Sequence, residues 1–213
     1  MNSDKYRYVV VEGPIGVGKT TLARKLAETL GTQMMLEEPR DNPFLERFYR
    51  DAGRYALATQ MHFLLHRIGQ IRDLMHIDLA TSRVVSDYLL EKDLLFAQLT
   101  LEGDELELYR RLHLQLQPAA PVPDLVIYLQ AEPEVLIDRI KRRGVAMESG
   151  ISEPYVHKLC ESYSRFFYHY DTAPLLIVNN ENLNPIDSDE DFNLLVDHIN
   201  NMRGKREFFN RGA

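Results

Sequence analysis

Cysteine, tryptophan and long apolar runs are scarce or missing in this chain of 213 residues, which has one cysteine, Cys160, and no tryptophan. A lone cysteine cannot close a disulfide within the chain or build a thiolate metal site, which fits a reducing cytoplasm. The longest apolar runs, such as residues 125–129, are far shorter than the ~20 residues of a membrane helix. The opening MNSDK also lacks the apolar stretch of a secretion signal. We therefore expect a soluble cytoplasmic protein with no membrane partner.

Basic residues are outnumbered as well, with 25 Lys plus Arg against 32 Asp plus Glu and a net charge of −7. Because nucleic-acid binding depends largely on neutralising phosphates, this balance argues against a nucleic-acid polymer as partner. A small phosphorylated ligand held by a few local cations remains compatible with it. The composition, 45% hydrophobic and 27% charged, is that of an ordinary globular protein. We predict one domain over residues 1–213.

Short apolar runs alternate with longer helical patterns along the chain. The predicted strands cover residues 8–11, 34–36, 83–86, 125–129 and 175–178. Near-continuous apolar strands separated by helices are typical of a parallel sheet covered on both faces. The sequence thus predicts an α/β fold, a three-layer sandwich with a five-stranded parallel sheet. The charged tail from Arg203 predicts a solvated, partly disordered end.

Two predicted helices, 55–76 and 104–117, are long. In the first of them, apolar residues recur at alternating spacings of 4 and 3, at Leu57, Met61, Leu64, Ile68, Ile71 and Met75. Such a heptad stripe packs lengthwise against other helices. Two interpretations stay open, because these helices can belong to the core of one chain or form a bundle between two chains.

The sequence GPIGVGKT at 13–20 matches the phosphate-loop pattern G-x-x-x-x-G-K-[ST] between a predicted strand and a predicted helix. Its glycines allow successive backbone N–H groups to point into one concavity. Lys19 contributes a cation near the phosphates, and Thr20 a hydroxyl for Mg²⁺. The pattern predicts a bound nucleoside triphosphate, contacted by Gly13, Pro14, Ile15, Gly16, Val17, Gly18, Lys19, Thr20 and Thr21.

Carboxylates follow two of the predicted strands, at the edge of the sheet where α/β proteins bind ligands. Glu37 and Glu38 come after the second strand, and Asp87 after the third. Phosphoryl transfer to an alcohol needs a carboxylate near the attacking hydroxyl and oxygen ligands for Mg²⁺. These residues supply both, although acidic residues at strand ends also occur as neighbours of helix N-termini.

Polar residues on two predicted helices complete the candidate site. Gln60 and Arg67 lie seven residues apart on one helix face, where together they can read the edge of a nucleobase, or can form a plain exposed polar face. Arg139, Arg142 and Arg143 form a cationic face that runs into a loop. We interpret residues 139–150 as a helical lid over the transferring phosphate, the alternative being a solvated basic face.

Together these segments resemble the deoxynucleoside kinase family of P-loop proteins, and within it the bacterial purine-preferring branch with its deoxyguanosine kinases. The resemblance extends over residues 8–178. It is carried by EGPIGVGKTT (12–21), LEEPRDNPFLERFY (36–49), TQMHFLLHR (59–67), VSDYLLEKDLLFA (85–97) and RIKRRGVAMESG (139–150). It implies a P-loop NTPase fold with a dimeric helix bundle, and ATP with Mg²⁺ as the phosphate donor.

The resemblance also implies a catalytic base, either Glu37 or Glu38, that accepts the proton of the sugar 5′-hydroxyl. The distance in sequence to the Asn42-Pro43 pair favours Glu37, whereas the proline that follows Glu38 favours Glu38. We expect Glu37 to be the base. Lys19 and the lid arginines then stabilise the charge on the moving phosphoryl group.

Further roles follow from the same resemblance. Tyr49 and Glu148 are expected to hold the sugar 3′-hydroxyl, and Gln60 and Arg67, with Asp93, to contact the base. Phe44, Phe63 and Phe96 are expected to form apolar walls around the base. Arg139 and Arg143 are expected to close over the phosphates as the lid.

The sequence departs from the family pattern in two places. Many members carry an acidic-Arg-Ser triplet after the third strand, where this chain has Asp87-Tyr88-Leu89. Asp87 keeps the acid for Mg²⁺, but the cation beside the base is missing, so another arginine must serve. The deoxyguanosine-kinase branch is similar in having Asp-Tyr there. Val145 stands where family lids often have an arginine, which leaves Arg142 as a substitute.

We therefore expect a homodimeric kinase that phosphorylates the 5′-hydroxyl of a purine deoxynucleoside, deoxyguanosine before deoxyadenosine, in nucleotide salvage. One alternative is a nucleoside monophosphate kinase of the thymidylate-kinase type. Another, from a different class, is an ATP-binding regulator without turnover.

Overall fold

The computed structural model describes residues 5–79, 81–116, 118–180 and 184–210, and its core is a parallel sheet. The strands are β1 (Tyr8–Glu12), β2 (Gln33–Met35), β3 (Val84–Ser86), β4 (Leu125–Gln130), β5 (Leu175–Asn179) and β6 (Arg206–Phe209). Their order across the sheet is β2-β3-β1-β4-β5-β6, so β1 lies between β3 and β4. The carboxyl ends of β1, β2 and β3 therefore meet at one edge, as the expected site requires.

Helices cover both faces of the sheet. They are α1 (Lys19–Leu30), α2 (Leu45–Arg50), α3 (Ala52–Met75), α4 (Lys92–Thr100), α5 (Gly103–Leu116), α6 (Pro133–Arg143), α7 (Glu153–His169) and α8 (Asp189–Asn201). Alternate side chains of β1 enter opposite layers, since Val9 and Val11 pack with α1, α6 and α8 while Tyr8 and Val10 pack with α3, α4 and α7. The predicted three-layer α/β architecture is confirmed.

The sheet has six strands rather than the five predicted, because β6 forms where a solvated tail was expected. The carboxylate of Glu207 accepts the backbone N–H groups of Arg203 and Gly204 at 2.8 and 2.7 Å, which closes the turn after α8. Phe209 packs its ring against His198, with 4.7 Å between centroids. The basic residues of this tail predicted a solvated end. In the structure, Glu207 and Phe209 are partly buried and alternate with exposed neighbours, as in a strand with one covered face.

The two long helices have a core of their own within this chain. Helix α3 begins three residues before the predicted segment 55–76, and α5 ends at Leu116, while Gln117 lies outside the described residues. Buried side chains of α2, α3, α4 and α5 form a separate apolar cluster that includes Leu64 and Tyr109. The interpretation that these helices belong to the core of one chain thus accounts for part of the heptad stripe. No helix in the described ranges combines the length and the apolarity needed to cross a membrane.

The segment between α6 and α7 is shaped by standard helix-end signals. Helix α6 ends at Arg143 and is capped by Gly144, whose φ of 61° is the left-handed conformation that glycine adopts readily. A single 3₁₀ turn follows at Ala146–Glu148, and α7 begins after Ser152, whose hydroxyl accepts the backbone N–H of Tyr155 at 3.3 Å. These signals hold the predicted lid segment 139–150 near the carboxyl edge of the sheet.

Candidate active site

The phosphate loop connects β1 to α1 and lies against the end of β4. A side chain at Gly13 would place its Cβ 2.4 Å from the carbonyl oxygen of Leu129, so the loop approaches β4 as closely as glycine alone permits. Gly16 has a φ of 82°, which disfavours other residues. Lys19 donates from Nζ to the carbonyl of Pro14 at 3.2 Å. Burial lowers the pKa of Lys19, and the carboxylates of the site oppose that shift.

A buried carboxylate holds the start of this loop. Glu12, the last residue of β1, is fully buried and accepts the backbone N–H of Gly13 at 2.9 Å and that of Leu89 at 2.8 Å. It also accepts the hydroxyl of Tyr163 at 3.0 Å. Our sequence reasoning missed Glu12. The signal that could have found it is a single charged residue ending the otherwise apolar run YVVVE.

The two expected magnesium ligands lie side by side. The carboxylate of Asp87 accepts the hydroxyl of Thr20 through Oδ2 and the backbone N–H of Glu37 at 2.7 Å through Oδ1. A hydroxyl and a carboxylate at one point are oxygen donors of the kind that Mg²⁺ prefers. The residues present therefore fit the ion that the phosphate loop implies.

Glu37 is held by cations on both of its oxygens. Oε1 accepts from Arg67, with Nε at 2.8 Å, and Oε2 accepts from Nζ of Lys92 at 3.0 Å. Arg67 donates its third hydrogen bond, from Nη1, to Asp93. Burial alone raises the pKa of Glu37, but the charges of Arg67 and Lys92 outweigh it and hold that pKa far below its usual range. Glu37 is therefore an ionised carboxylate with a fixed plane.

These groups open into one central cavity. Among its lining residues, those expected from the sequence are Ile15, Gly16, Gly18, Lys19, Thr20, Thr21, Glu37, Tyr49, Gln60, Phe63, Arg67, Asp87, Phe96, Arg143 and Glu148. The lining residues that we did not expect include Phe48, Thr59, Lys92, Tyr155 and Tyr163. The fold thus brings together most of the candidate residues from five separate segments of the chain.

Some expected contact residues do not line the central cavity. Glu38 is exposed and does not line the cavity, and Asp93 is fully buried behind Arg67. The ring of Phe44 packs edge-on against His62, while Phe48 reaches the cavity instead. Gly13, Pro14 and Val17 are buried in the loop rather than at the cavity wall.

The arginines of the predicted lid segment have different partners. Nη2 of Arg143 donates to both carboxylate oxygens of Glu148, at 2.7 and 2.6 Å, which ties the end of α6 to the 3₁₀ turn. Nη2 of Arg139 donates to the carbonyl of Asn180 at 2.9 Å. Arg142 is exposed and Val145 is partly buried. Of the three arginines, Arg143 is the one at the cavity wall.

Unpaired polar atoms remain on two residues that line the cavity, Thr59 and Gln60. Gln60 donates from Nε2 to the hydroxyl of Thr100 at 3.2 Å, but its buried Oε1 has no hydrogen-bond partner within the described residues. The buried hydroxyl of Thr59 also has no hydrogen-bond partner within the described residues. Since buried polar groups are nearly always paired, these lining atoms indicate a polar ligand.

Comparison with known proteins identifies the family to which this chain belongs. A family model described as deoxynucleoside kinase matches residues 9–203 of the chain. The chain belongs to the deoxynucleoside kinase family. It is an ATP-dependent phosphotransferase, in agreement with the phosphate loop and with the resemblance read from the sequence.

Individual relatives include kinases with different substrates. The kinase is 31% identical to a deoxyguanosine kinase of Bacillus subtilis over 200 residues, which cover 92% of this chain and 97% of the relative. It is 30% identical to a deoxyadenosine/deoxycytidine kinase of the same organism, over 92% of both chains. The structure of a deoxyadenosine kinase from M. mycoides with bound dATP superposes with a TM-score of 0.79 at 24% identity, covering 92% of this chain and 100% of that one. That likeness shows the shared fold.

Gly150→Ala tests the contact between the lid segment and α2. An alanine Cβ would lie 2.9 Å from the backbone oxygen of Tyr49 and 3.1 Å from its Cβ, so the turn carrying Glu148 must shift away. We expect KM for the deoxynucleoside to rise about tenfold, the equivalent of ~1.4 kcal/mol, with KM for ATP nearly unchanged. Steady-state kinetics give both constants. Gly53→Ala, where an added Cβ meets nothing within 4 Å, is the matched control. An equal KM for the deoxynucleoside in Gly150→Ala and Gly53→Ala would contradict a role of this contact in substrate binding.

Proposed function

We propose that this kinase transfers the γ-phosphoryl group of ATP to the 5′-hydroxyl of a purine deoxynucleoside, deoxyguanosine before deoxyadenosine. The observation that carries the proposal is the position of Glu37. It lines the central cavity together with Lys19 and Thr20 of the phosphate loop and with Gln60 and Arg67 at the other end. An acceptor bound between these two groups has its hydroxyl at the carboxylate.

Glu37 is the proposed base, in preference to Glu38, because it lines the cavity. The 5′-hydroxyl donates its proton to the carboxylate while its oxygen attacks the γ-phosphorus and the bond to the β-phosphate oxygen breaks. A carboxylate with a strongly lowered pKa is a weak base. Phosphoryl transfer through a loose transition state depends mainly on positioning, so Glu37 acts chiefly by orienting the hydroxyl and accepts the proton late.

The phosphate end of the site supplies positive charge. Lys19 and the loop amides support the transferring group. Arg143 at the cavity wall and Arg139, four residues earlier on α6, belong to the proposed lid 139–150. Thr20 and Asp87 would hold Mg²⁺. When bound, the ion neutralises charge on the phosphate oxygens.

The sugar end of the site is built by α2 and the lid turn. Tyr49 and Glu148 both line the cavity, and Arg143 fixes the carboxylate of Glu148. We assign these two side chains to the 3′-hydroxyl. Phe63 and Phe96 line the cavity, and we assign them as its apolar walls, with Phe48 in the place proposed for Phe44.

The base end favours guanine. Arg67 uses three of its five N–H groups on carboxylates, and it lines the cavity, where we propose that its remaining N–H groups donate to the nucleobase. Guanine offers O6 and N7 as adjacent acceptors, which match arginine better than the mixed edge of adenine. The open Oε1 of Gln60 can accept from a base N–H. Asp93 acts on the base through Arg67, whose plane it fixes.

We also propose a homodimer through α3 and α5. Both helices keep large apolar side chains on the surface, with Leu65 of α3 55% exposed and Leu108 and Leu114 of α5 48% and 76% exposed. The two helices contact each other, so these side chains lie on neighbouring elements. A second copy that presents the same helices covers them by symmetry.

Phosphorylation of the four common deoxynucleosides with ATP, beside their monophosphates, tests the proposed substrate. We expect the highest kcat/KM with deoxyguanosine, then deoxyadenosine, as measured by product chromatography. Turnover of monophosphates alone would contradict the proposal and favour the thymidylate-kinase type. No product from any acceptor would favour a nucleotide-binding regulator.

Glu37→Gln and Glu38→Gln separate the two candidate bases. We expect Glu37→Gln to lower kcat on the order of 100-fold or more, because the amide is not held in place by Arg67 and Lys92 as the carboxylate is and cannot accept the hydroxyl proton in the same way. Glu38→Gln serves as the matched control and should stay within a few-fold of the original. Calorimetric ATP binding should persist in both variants. Full activity in Glu37→Gln with loss in Glu38→Gln would reverse the assignment.

Leu65→Glu combined with Leu114→Glu tests the dimer. Charges on an apolar interface oppose association, so we expect a monomer by sedimentation equilibrium while the original chain is a dimer. Leu194→Glu, at a 42% exposed leucine of α8, is the control and should leave the assembly intact. An original chain that sediments as a monomer would contradict the proposal directly.

A further inference from the structure

We infer that Lys92 is a positioning residue for the acceptor end of the reaction, fixing the carboxylate of Glu37 and joining it to the phosphate loop through Glu12. This inference rests on the proposed function, since it concerns the residue that we assign as the base. Neither the sequence patterns nor the family resemblance assigned a role to Lys92.

The first observation is that Lys92 is buried among acids. It is the first residue of α4, it is 2% exposed, and it lines the central cavity. Its Nζ lies 3.0 Å from Oε2 of Glu37 and 3.9 Å from Oε2 of Glu12, and 5.5 Å from the ring centre of Tyr88. A buried ammonium is costly unless it is paired, so this location has a specific electrostatic reason.

The second observation is that the two carboxylate oxygens of Glu37 are bound by two different cations. Arg67 binds Oε1 and Lys92 binds Oε2. The terminal torsion of a glutamate is soft, so a carboxylate held at one oxygen can turn about that contact. A cation on each oxygen fixes the plane. Lys92 supplies the second of these cations.

The third observation is the link to the phosphate loop. Glu12 lies beside Lys92 and holds the backbone N–H groups of Gly13 and Leu89. Lys92 is thus placed between the carboxylate that anchors the phosphate loop and the carboxylate that meets the acceptor hydroxyl. A small misplacement of one reacting group against the other costs up to about 100-fold in rate.

Lys92→Met removes the charge at nearly constant length, and Lys92→Gln does so while keeping a polar side chain in the buried position. We expect both variants to lose about 100-fold in kcat, with KM for ATP and the calorimetric Kd for ATP within about twofold of the original. Lys92→Arg, which restores a cation, should recover at least about tenfold over Lys92→Met. Lys158→Met, the same change at an exposed lysine of α7, is the control and should keep full activity.

Several outcomes would overturn the inference. An unchanged kcat in Lys92→Met or Lys92→Gln would show that Lys92 does not position Glu37. A fall in kcat accompanied by an equal loss of ATP affinity would indicate a general structural role instead, as would failure of both variants to fold. An arginine variant no better than Lys92→Met would remove the argument from charge. A kinase that phosphorylates no deoxynucleoside, or in which Glu37→Gln is fully active, would instead refute the proposed function on which the inference rests.

Discussion

The buried carboxylate of Glu12 is the constraint on which the geometry of the site depends. A charge with no access to water is tolerated when several donors replace its hydration, and here the donors are two backbone N–H groups and the hydroxyl of Tyr163. Those donors come from the phosphate loop, from the segment after β3 and from α7. One carboxylate therefore sets the mutual positions of three segments, each of which contributes to the central cavity.

Three carboxylates and two cations around that point form a shared network. Glu37 and Asp93 share Arg67, and Glu37 and Glu12 share Lys92. Such a network makes Glu37 a poor base in the thermodynamic sense, since its pKa is strongly lowered by its cations. It also makes Glu37 well ordered. For a reaction governed by alignment and by charge on the phosphoryl group, order matters more than basicity.

The fold is shared more widely than the substrate preference. A structural neighbour at 24% identity superposes with a TM-score of 0.79, while relatives of 31% and 30% identity are kinases of different deoxynucleosides. The preference for one nucleobase of the substrate therefore depends on a few contacts on a common scaffold. In this chain we propose Gln60 and Arg67 for those contacts, because a buried site built from hydrogen bonds discriminates strongly between donors and acceptors.

Local patterns in the sequence were enough to predict the α/β class, the phosphate loop and five of the six described strands, because spacing and turn chemistry act over a few residues. The family followed from the resemblance of five segments. Tertiary structure alone decided the rest. Lys92 meets Glu37 across 55 residues, and Glu12 meets Tyr163 across 151. The tail becomes β6 because it pairs with β5, and Asp93 lies behind Arg67 rather than at the cavity because α4 packs against α3. No local pattern encodes such contacts, since they form only when distant segments are brought together by the packing of the core.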